Sequence, residues 1–316
     1  MSIKTFEVYQ YQLKTTLSYP TQRIGIFLRL KDAEGKESIG EIAPLPGRSA
    51  ETLEESLQEL KKVRDKFIQK ELSPVFFPPS LMFGLEMALH QFMHPLTQNI
   101  PFLLQYIFDN HHAHFPSSTS PIKVKLPSST IQAIELCQNI IKTHQNAIRI
   151  DAGREWDLQQ AIQFCSHFSP DNFVYIEDPV KDFSDLKRFH ESTNFSFALD
   201  DHLLFQPMER ILSLNGLSHI VLKPMIHGGI HVCQEIVNKA KEKNVSTTLS
   251  CTYETEIGLM HIVRMAHLLG ITEPLGIDTK QFFTESLLPF NPRDQILYAS
   301  YYNSMSIPWK KLQQLL

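Results

Sequence analysis

The chain has 316 residues, of which 42% are hydrophobic and 20% are charged, a composition typical of globular proteins with a sizeable core. Its 34 acidic and 30 basic residues give a net charge of −4. Because no block of like charge stands out, the sequence argues against nucleic acid or an anionic membrane as a partner. We therefore expect the protein to act on a small molecule.

The amino-terminal stretch MSIKTFEVYQYQLKTTL alternates like a β-strand and lacks the pattern of a signal peptide. No uninterrupted apolar stretch is long enough for a transmembrane helix. The four cysteines are scattered without a CxxC motif or a histidine at metal-ligand spacing, so neither a disulfide framework nor a zinc site is indicated. We expect a cytoplasmic protein with reduced thiols.

The first hundred or so residues are predicted to form an α+β unit. Residues 1–47 contain strand-like runs with the turn signal DAEGKE between two of them. From Ser49 onward, Leu53, Leu57 and Leu60 follow helical spacing, and SLMFGLEMALHQFM predicts a second, buried helix. The carboxy-terminal run PWKKLQQLL predicts a short amphipathic helix that returns to this unit.

Farther along the chain, short β-like runs alternate with helical stretches, which predicts a parallel sheet. The runs are IKVKL, NAIRIDAG, NFVYIEDP, FSFALDD, SHIVLKPM, VSTTLSCT and EPLGIDT. Polar residues at their ends recur every 23 to 27 residues, the length of one strand–helix unit, so we expect a barrel rather than an open sheet. No glycine-rich phosphate motif follows the first run, which argues against a dinucleotide-binding fold. The tract of His111, His112 and His114 precedes these runs and is expected to be a solvated loop.

Lys123 and Lys125 lie two residues apart in KVK and therefore share one face of a strand. Two cations so placed repel each other, so the pair is either a solvated edge or part of a site that compensates the charge. Compensating carboxylates occur at the ends of the next three strands, and a further lysine ends the strand after those. These residues are Asp151, Glu177, Asp200 and Lys223.

Charged residues at the carboxyl ends of barrel strands are typical of an active site. Three carboxylates can bind one Mg²⁺ ion, which prefers oxygen ligands, and Mn²⁺ could replace it. A divalent cation on a substrate carboxylate stabilises the enediolate formed when the adjacent C–H loses its proton. A lysine beside another cation has a lowered pKa and can be the base, and Lys125 and Lys223 flank the trio of carboxylates.

The sequence resembles the enolase superfamily, which combines a lysine base with Mg²⁺, and within it the o-succinylbenzoate synthase family of menaquinone biosynthesis. GEIAPLPGRSAETLEES and SLMFGLEMAL resemble the amino-terminal motifs of that family, and KVK, RIDAG, YIEDP, ALDD, LKP and LSCTYETEIGL resemble its barrel motifs in order and spacing. The resemblance implies a modified TIM barrel, (β/α)7β, over residues 98–284. It also implies an α+β capping domain over residues 1–97, completed by residues 285–316, whose loop at Leu17 to Arg23 closes over the barrel mouth.

The resemblance further implies a lyase that eliminates water in a syn sense from 2-succinyl-6-hydroxy-2,4-cyclohexadiene-1-carboxylate to give 2-succinylbenzoate. Lys125 would be the base, and Lys223 would stabilise the enediolate from the opposite side. Asp151, Glu177 and Asp200 would bind Mg²⁺. Lys123, Arg149, Ser250 and Thr252 would lie near the substrate, a small carboxylate.

Two residues depart from the family pattern. Gly153 stands where asparagine is usual, and Asp201 stands where glutamate usually follows the third metal ligand. Loss of the asparagine removes a hydrogen bond behind the ligands and is expected to weaken metal binding. Both changes spare the ligands and the lysines, so we expect activity to survive.

Other functions remain open at this level. A racemase or epimerase of N-acylamino acids or dipeptides would also use two opposed lysines, although GIDTK supplies Asp278 and Lys280 where dipeptide epimerases carry a DxD motif. The mandelate racemase-like branch needs a histidine on the seventh strand, which VSTTLSCT lacks, whereas the lactonising branch shares KxK. A protein of another class, a non-catalytic barrel scaffold stabilised by a metal, would have no need for neighbouring lysines.

Overall fold

The computed structural model describes residues 3–69, 77–94, 101–108, 119, 121–288, 296–298 and 307–316. The tract of His111, His112 and His114 lies outside these residues. Among the described helices, none is long and apolar enough to cross a membrane.

The amino-terminal unit consists of an antiparallel sheet covered by helices. Its elements are β1 (Ile3–Lys14), β2 (Gln22–Asp32), β3 (Glu37–Ile42), α1 (Leu53–Gln69) and α2 (Pro79–Met93). On one face of β2, Ile26, Leu28 and Leu30 are completely buried in the core of this unit, and on the other face Phe27 is buried in the main core. The core of this unit includes apolar residues of both helices, so the predicted strands and helices are observed.

The remaining elements alternate strands with helices, as the sequence predicts. They are β4 (Pro101–Leu103), β5 (Tyr106–Phe108), β6 (Ile122–Lys125), α3 (Thr130–Thr143), β7 (Ile148–Asp151), α4 (Leu158–Cys165), β8 (Phe173–Glu177), α5 (Leu186–Thr193), β9 (Phe197–Leu199), α6 (Met208–Ile211), β10 (Leu217–Leu222), α7 (Pro224–His227), α8 (Ile230–Glu242), β11 (Ser246–Leu249), α9 (Glu256–Leu269), β12 (Ile296–Tyr298) and β13 (Gln313–Gln314). Strands β5 to β11 form one parallel sheet in chain order.

Main-chain hydrogen bonds of Leu275 and Gly276 close this sheet into a barrel. On one side, the Leu275 carbonyl accepts a hydrogen bond from the Gln105 N–H at 3.0 Å, beside β5. On the other side, the Gly276 N–H donates to the Leu249 carbonyl at 2.9 Å, at the end of β11. The segment predicted as EPLGIDT therefore completes the barrel, and the predicted fold class, a modified TIM barrel with an α+β amino-terminal unit, is confirmed.

The prediction of a carboxy-terminal helix is wrong. Trp309–Lys311 form one 3-10 turn, and β13 then pairs antiparallel with β1. The Leu315 N–H donates to the Val8 carbonyl at 2.8 Å. A segment this short gains little from helix formation on its own, whereas the open edge of β1 offers unpaired main-chain groups. The segment nevertheless returns to the amino-terminal sheet, as predicted.

Candidate active site

A cavity of about 500 Å³ lies at the carboxyl ends of the barrel strands and is walled by both units. This volume falls in the range of small-molecule sites. From the barrel, the wall includes Lys123, Lys125, Asp151, Asp178, Asp200, Asp201, Lys223, His227, Ser250, Cys251, Thr252 and Tyr253; the amino-terminal unit adds Leu17, Leu45 and Arg48.

Strand alternation explains why charged side chains meet here. Tyr175, Ala198 and Val221 form a small buried cluster of their own on β8, β9 and β10. Two residues farther along these strands come Glu177, Asp200 and Lys223, whose side chains point to the same face as that cluster. The barrel interior therefore has an apolar layer beneath a charged one.

Lys123 lies between two of the predicted metal ligands. Its Nζ is 2.9 Å from Asp151 Oδ2 and 2.6 Å from Glu177 Oε1. Burial disfavours ionisation of Asp151, but the charge of Lys123 outweighs it and lowers the Asp151 pKa. For Glu177, burial and the charges of Asp151 and Asp200 raise the pKa against the effect of Lys123.

Lys125 has a different environment from Lys123, although both side chains leave the same face of β6. It is exposed and lines the cavity. It forms no ion pair with any other residue that the structure describes. Its ammonium is therefore accessible from the cavity.

Lys223 forms an ion pair with Asp200 on the neighbouring strand. Burial alone would lower the Lys223 pKa, but the charge and hydrogen bond of Asp200 outweigh it, and the pKa is raised. The expectation that neighbouring cations lower the pKa is therefore wrong for Lys223 in this arrangement, because a carboxylate is nearer to it than another cation.

Asp178 is a site residue that the sequence analysis missed. Its Oδ1 accepts a hydrogen bond from the Asp200 N–H at 3.2 Å and its Oδ2 from the Asp201 N–H at 2.8 Å. Burial, followed by repulsion from Asp200 and Asp201, raises its pKa to about 8. Asp178 thus holds the main chain that carries Asp200. The only signal in the sequence was its position beside Glu177 in YIEDP.

The two departures from the family pattern both lie at the cavity. Gly153 has φ of +60°, a left-handed conformation that glycine adopts readily, and its N–H donates to Asp151 Oδ1 at 3.0 Å. Asp201 forms an ion pair with Arg48 of the amino-terminal unit. Asp151 thus keeps a hydrogen bond from the main chain.

The residues predicted near the substrate do not all reach the cavity. Arg149 lies deeper in the barrel, where its Nη2 is 2.8 Å from Glu273 Oε2, and it is not part of the cavity wall. The prediction that Arg149 lies near the substrate is therefore corrected. Arg149 precedes Asp151 by two residues on β7, so its side chain lies one layer deeper in the barrel. Ser250 and Thr252 do line the cavity, but their hydroxyls donate to the Gly276 carbonyl at 2.9 Å and to Glu254 Oε1 at 2.7 Å.

The donor set fits a hard divalent cation, although the ligands do not share one coordination sphere in this arrangement. Asp151, Glu177 and Asp200 offer only carboxylate oxygens, which suits Mg²⁺, and the buried Glu177 Oε2 has no hydrogen-bond partner among the described residues. No group of three or more His, Cys, Asp or Glu side chains in the described ranges is arranged to hold a metal. Lys123 and Lys223 instead neutralise these carboxylates.

Two known protein families match parts of this chain. The family described as "Enolase C-terminal domain-like" matches residues 118–293, more than half of the sequence. The chain belongs to the enolase superfamily. The family described as "MenC, N-terminal domain" matches residues 3–92.

Individual proteins support the same placement. An o-succinylbenzoate synthase of Vibrio cholerae serotype O1 (strain M66-2) is 26% identical over 314 residues, with 93% of each chain covered. The crystal structure of MenC from Desulfotalea psychrophila LSv54 matches with a TM-score of 0.73 at 20% identity, covering 93% of this chain and 100% of that one.

A dipeptide epimerase from Cytophaga hutchinsonii, crystallised with Mg and the dipeptide D-Ala-L-Val, matches with a TM-score of 0.74 at 15% identity, covering 100% of this chain and 99% of that one. At these identities the structural matches show the fold alone. The sequence-based prediction of a lyase that resembles the o-succinylbenzoate synthases is confirmed by the relatives and the MenC domain.

Proposed function

We propose that this protein is a Mg²⁺-dependent o-succinylbenzoate synthase of menaquinone biosynthesis. It would convert 2-succinyl-6-hydroxy-2,4-cyclohexadiene-1-carboxylate to 2-succinylbenzoate by syn elimination of water. The observation that carries the proposal is the order of charges around one cavity. Lys123 and Lys125 of β6 and Lys223 after β10 line this cavity together with Asp151 and Asp200, and the buried Glu177 is paired with Lys123 beside them.

In this reaction, Lys125 would accept the proton next to the ring carboxylate at Nζ and return it to the departing hydroxyl. Its exposure to the cavity supports that role. General acid–base catalysis by a positioned group contributes about 10²–10⁴ in rate. Lys223, from the other side of the carboxylates, would hold its ammonium near the negative charge that develops on the substrate.

Asp151, Glu177 and Asp200 would hold the metal. When bound, Mg²⁺ would supply a Lewis acid that stabilises negative charge on the substrate carboxylate. Lys123 would orient both Asp151 and Glu177 through its two short contacts and would keep Asp151 ionised. The side chains of Leu17 and Leu45 would cover the mouth of the cavity and exclude water.

The alternative of a dipeptide epimerase is less well supported. Such an enzyme needs a carboxylate that binds the substrate ammonium. Asp278, the nearest equivalent in sequence, is already engaged, because its Oδ2 accepts from the Ile107 N–H at 3.2 Å and from Gln281 Nε2 at 3.2 Å. An N-acylamino acid substrate carries no free ammonium, so a racemase of that class remains the competing activity.

The deciding experiment follows the absorbance change as purified protein converts the cyclohexadiene substrate, with Mg²⁺ and with EDTA. N-acylamino acids and dipeptides in deuterated water are tested in parallel for exchange of the α-proton. Metal-dependent formation of 2-succinylbenzoate supports the proposal. Exchange without dehydration would favour a racemase or epimerase, and metal binding without either reaction would favour a scaffold.

A further inference from the structure

The buried side chain of Arg23 joins three segments of main chain that surround the cavity. Only 1% of this residue is exposed. Its Nε donates to the Tyr253 carbonyl at 3.0 Å, one Nη donates to the Pro44 carbonyl at 2.7 Å, and the other donates to the Ala43 carbonyl. All three acceptors are main-chain oxygens, so the guanidinium fixes backbone positions.

Each of the three segments contributes to the cavity wall. Arg23 is the second residue of β2 and follows the loop that contains Leu17, which lines the cavity. The segment from Ala43 continues to Leu45 and Arg48, which also line it, and Tyr253 does so itself. One guanidinium therefore sets the spacing between two segments of the amino-terminal unit and the turn after β11.

Glu41 binds the residues that directly follow this turn. Its carboxylate is completely buried and accepts four hydrogen bonds, from Tyr11 Oη at 2.6 Å, Thr255 Oγ1 at 2.5 Å, the Thr255 N–H at 3.0 Å and the Gly258 N–H at 2.7 Å. One main-chain N–H donates to each oxygen, so both oxygens must accept, which a glutamine amide cannot do at both positions. Glu41 thereby binds β3 to the start of α9.

Glu254 is a second buried carboxylate at this turn. Glu254 Oε1 accepts from Thr252 Oγ1 at 2.7 Å, and its Oε2 accepts from the Thr252 N–H at 2.5 Å. Burial raises the pKa of Glu254, and the Thr252 hydrogen bond and the charge of Arg23 partly offset that shift. The turn that carries Cys251, Thr252 and Tyr253 is thus held by side-chain contacts on both sides, and loss of one partner would leave a buried charged group unsatisfied.

We infer that Arg23 and Glu41 are positioning residues that set the shape of the cavity mouth and so determine substrate affinity. Their contacts are made to the main chain of the wall rather than to the reacting groups. The part of the inference that concerns substrate affinity rests on the proposed function. The part that concerns the shape of the wall does not.

Cys251 offers a measurement that needs no substrate. It lies in the turn after β11, lines the cavity and is 7% exposed. Burial raises the pKa of its thiol to about 12. Cys137, completely buried in α3, is an internal reference. Opening of the turn would increase alkylation of Cys251 alone, whereas global unfolding would increase alkylation of both.

The experiment compares Arg23→Lys and Glu41→Gln with Ser56→Ala, using peptide mass spectrometry after timed treatment with iodoacetamide. A lysine cannot reach three carbonyls, and a glutamine amide would face donors. Ser56 is matched in burial but bonds to Ser80 within the amino-terminal unit, at 3.2 Å. We expect the ratio of Cys251 to Cys137 alkylation to rise about tenfold in the first two variants and to stay unchanged in the third.

Tyr11→Phe is a milder variant in case the others do not fold, because it removes one hydrogen bond to Glu41 and keeps the ring contact with Phe27. For this variant we expect a two- to threefold rise in the ratio. An unchanged ratio in the folded variants, or one that rises equally in Ser56→Ala, would overturn the inference.

Kinetics add the test of substrate affinity. We expect KM to rise about tenfold in Arg23→Lys with kcat within about threefold of the wild type. A loss confined to kcat, with an unchanged alkylation ratio, would contradict a positioning role. If the wild-type protein does not dehydrate the cyclohexadiene, the proposed function fails, and the alkylation ratio still decides the inference about the wall.

Discussion

Lys125 is the residue on which the proposed chemistry depends most directly. Substitution by alanine should reduce turnover by about 10²–10⁴-fold, because the base for proton removal is lost. The free energy of unfolding of this variant should differ from that of the wild type by less than about 0.5 kcal/mol. The Lys125 side chain is exposed and forms no ion pair with the described residues. Steady-state turnover and denaturant unfolding of Lys125→Ala measure both effects.

Two further variants sharpen this test. Lys125→Arg should be as inactive as the alanine variant, because a guanidinium keeps the charge but does not deprotonate. Lys142→Ala, an exposed lysine of α3 outside the cavity wall, should retain full activity. Substantial turnover by Lys125→Arg would assign proton removal to another group.

Lys123 and a divalent cation should neutralise the same carboxylates. Lys123→Met leaves Asp151 and the buried Glu177 without their ammonium partner, so the metal-free variant should lose about 3–5 kcal/mol of stability. Mg²⁺ at 100 times its Kd should restore about 2.7 kcal/mol. Thermal unfolding with Mg²⁺ and with EDTA checks this, and absence of a Mg²⁺ effect in both proteins would argue against a metal at these residues.

The convergence of charges could be predicted from the sequence, but their pairing could not. Strand alternation and the spacing of the strand ends were enough to bring Lys123, Asp151 and Asp200 to one face of the barrel. Which lysine neutralises which carboxylate depends on distances between neighbouring strands. The resemblance to the family placed Arg149 near the substrate, whereas it is paired with Glu273 in a deeper layer.

At the scale of elements, the contact between α2 and β3 depends on two glycines. A Cβ at Gly84 would lie 2.5 Å from Ile42 Cγ1 and 2.6 Å from the Glu41 carbonyl, and one at Gly40 would lie 2.0 Å from the Gly84 carbonyl. Gly84→Ala should therefore lower the free energy of unfolding by about 3 kcal/mol, because the helix must move away from the strand. Denaturant unfolding measures the loss.

Gly35→Asn is the matched control. Gly35 lies in the turn between β2 and β3 with φ of +82°, and no atom would meet its Cβ within 4 Å. Asparagine tolerates this conformation better than most residues, so the change should stay below about 1 kcal/mol. Equal losses in the two variants would show that close approach is not the cause.

Two parts of the fold did not follow from the sequence, and both have the same physical cause. The run PFLLQYIF, for which no element was predicted, contains β4 and β5, which pair with different partners, β12 and β6, and a continuous apolar run does not reveal that division. The carboxy-terminal run has a helical pattern, but the edge of β1 determines its conformation. In both cases contacts between distant segments override the local pattern.

At the scale of the whole molecule, His261 couples pH to the packing of the two units. This residue of α9 is 1% exposed, and its ring packs against Phe83 of α2 with 6.1 Å between the centroids. Burial, assisted by the charge of Arg264, lowers its pKa to about 3. His90 of α2, whose Nδ1 accepts a hydrogen bond from Arg264 at 3.0 Å, is another titratable group in this interface.

Because the folded protein holds His261 neutral, its contribution to stability is complete above the unfolded pKa of about 6.5 and is lost as the pH falls toward 3. Between pH 7 and pH 5 the loss should be about 2 kcal/mol. His261→Gln stays neutral throughout, so its free energy of unfolding should fall by about 2 kcal/mol less than that of the wild type over this interval. Urea unfolding at the two pH values measures the difference, and parallel losses would show that acid destabilises the protein through other groups.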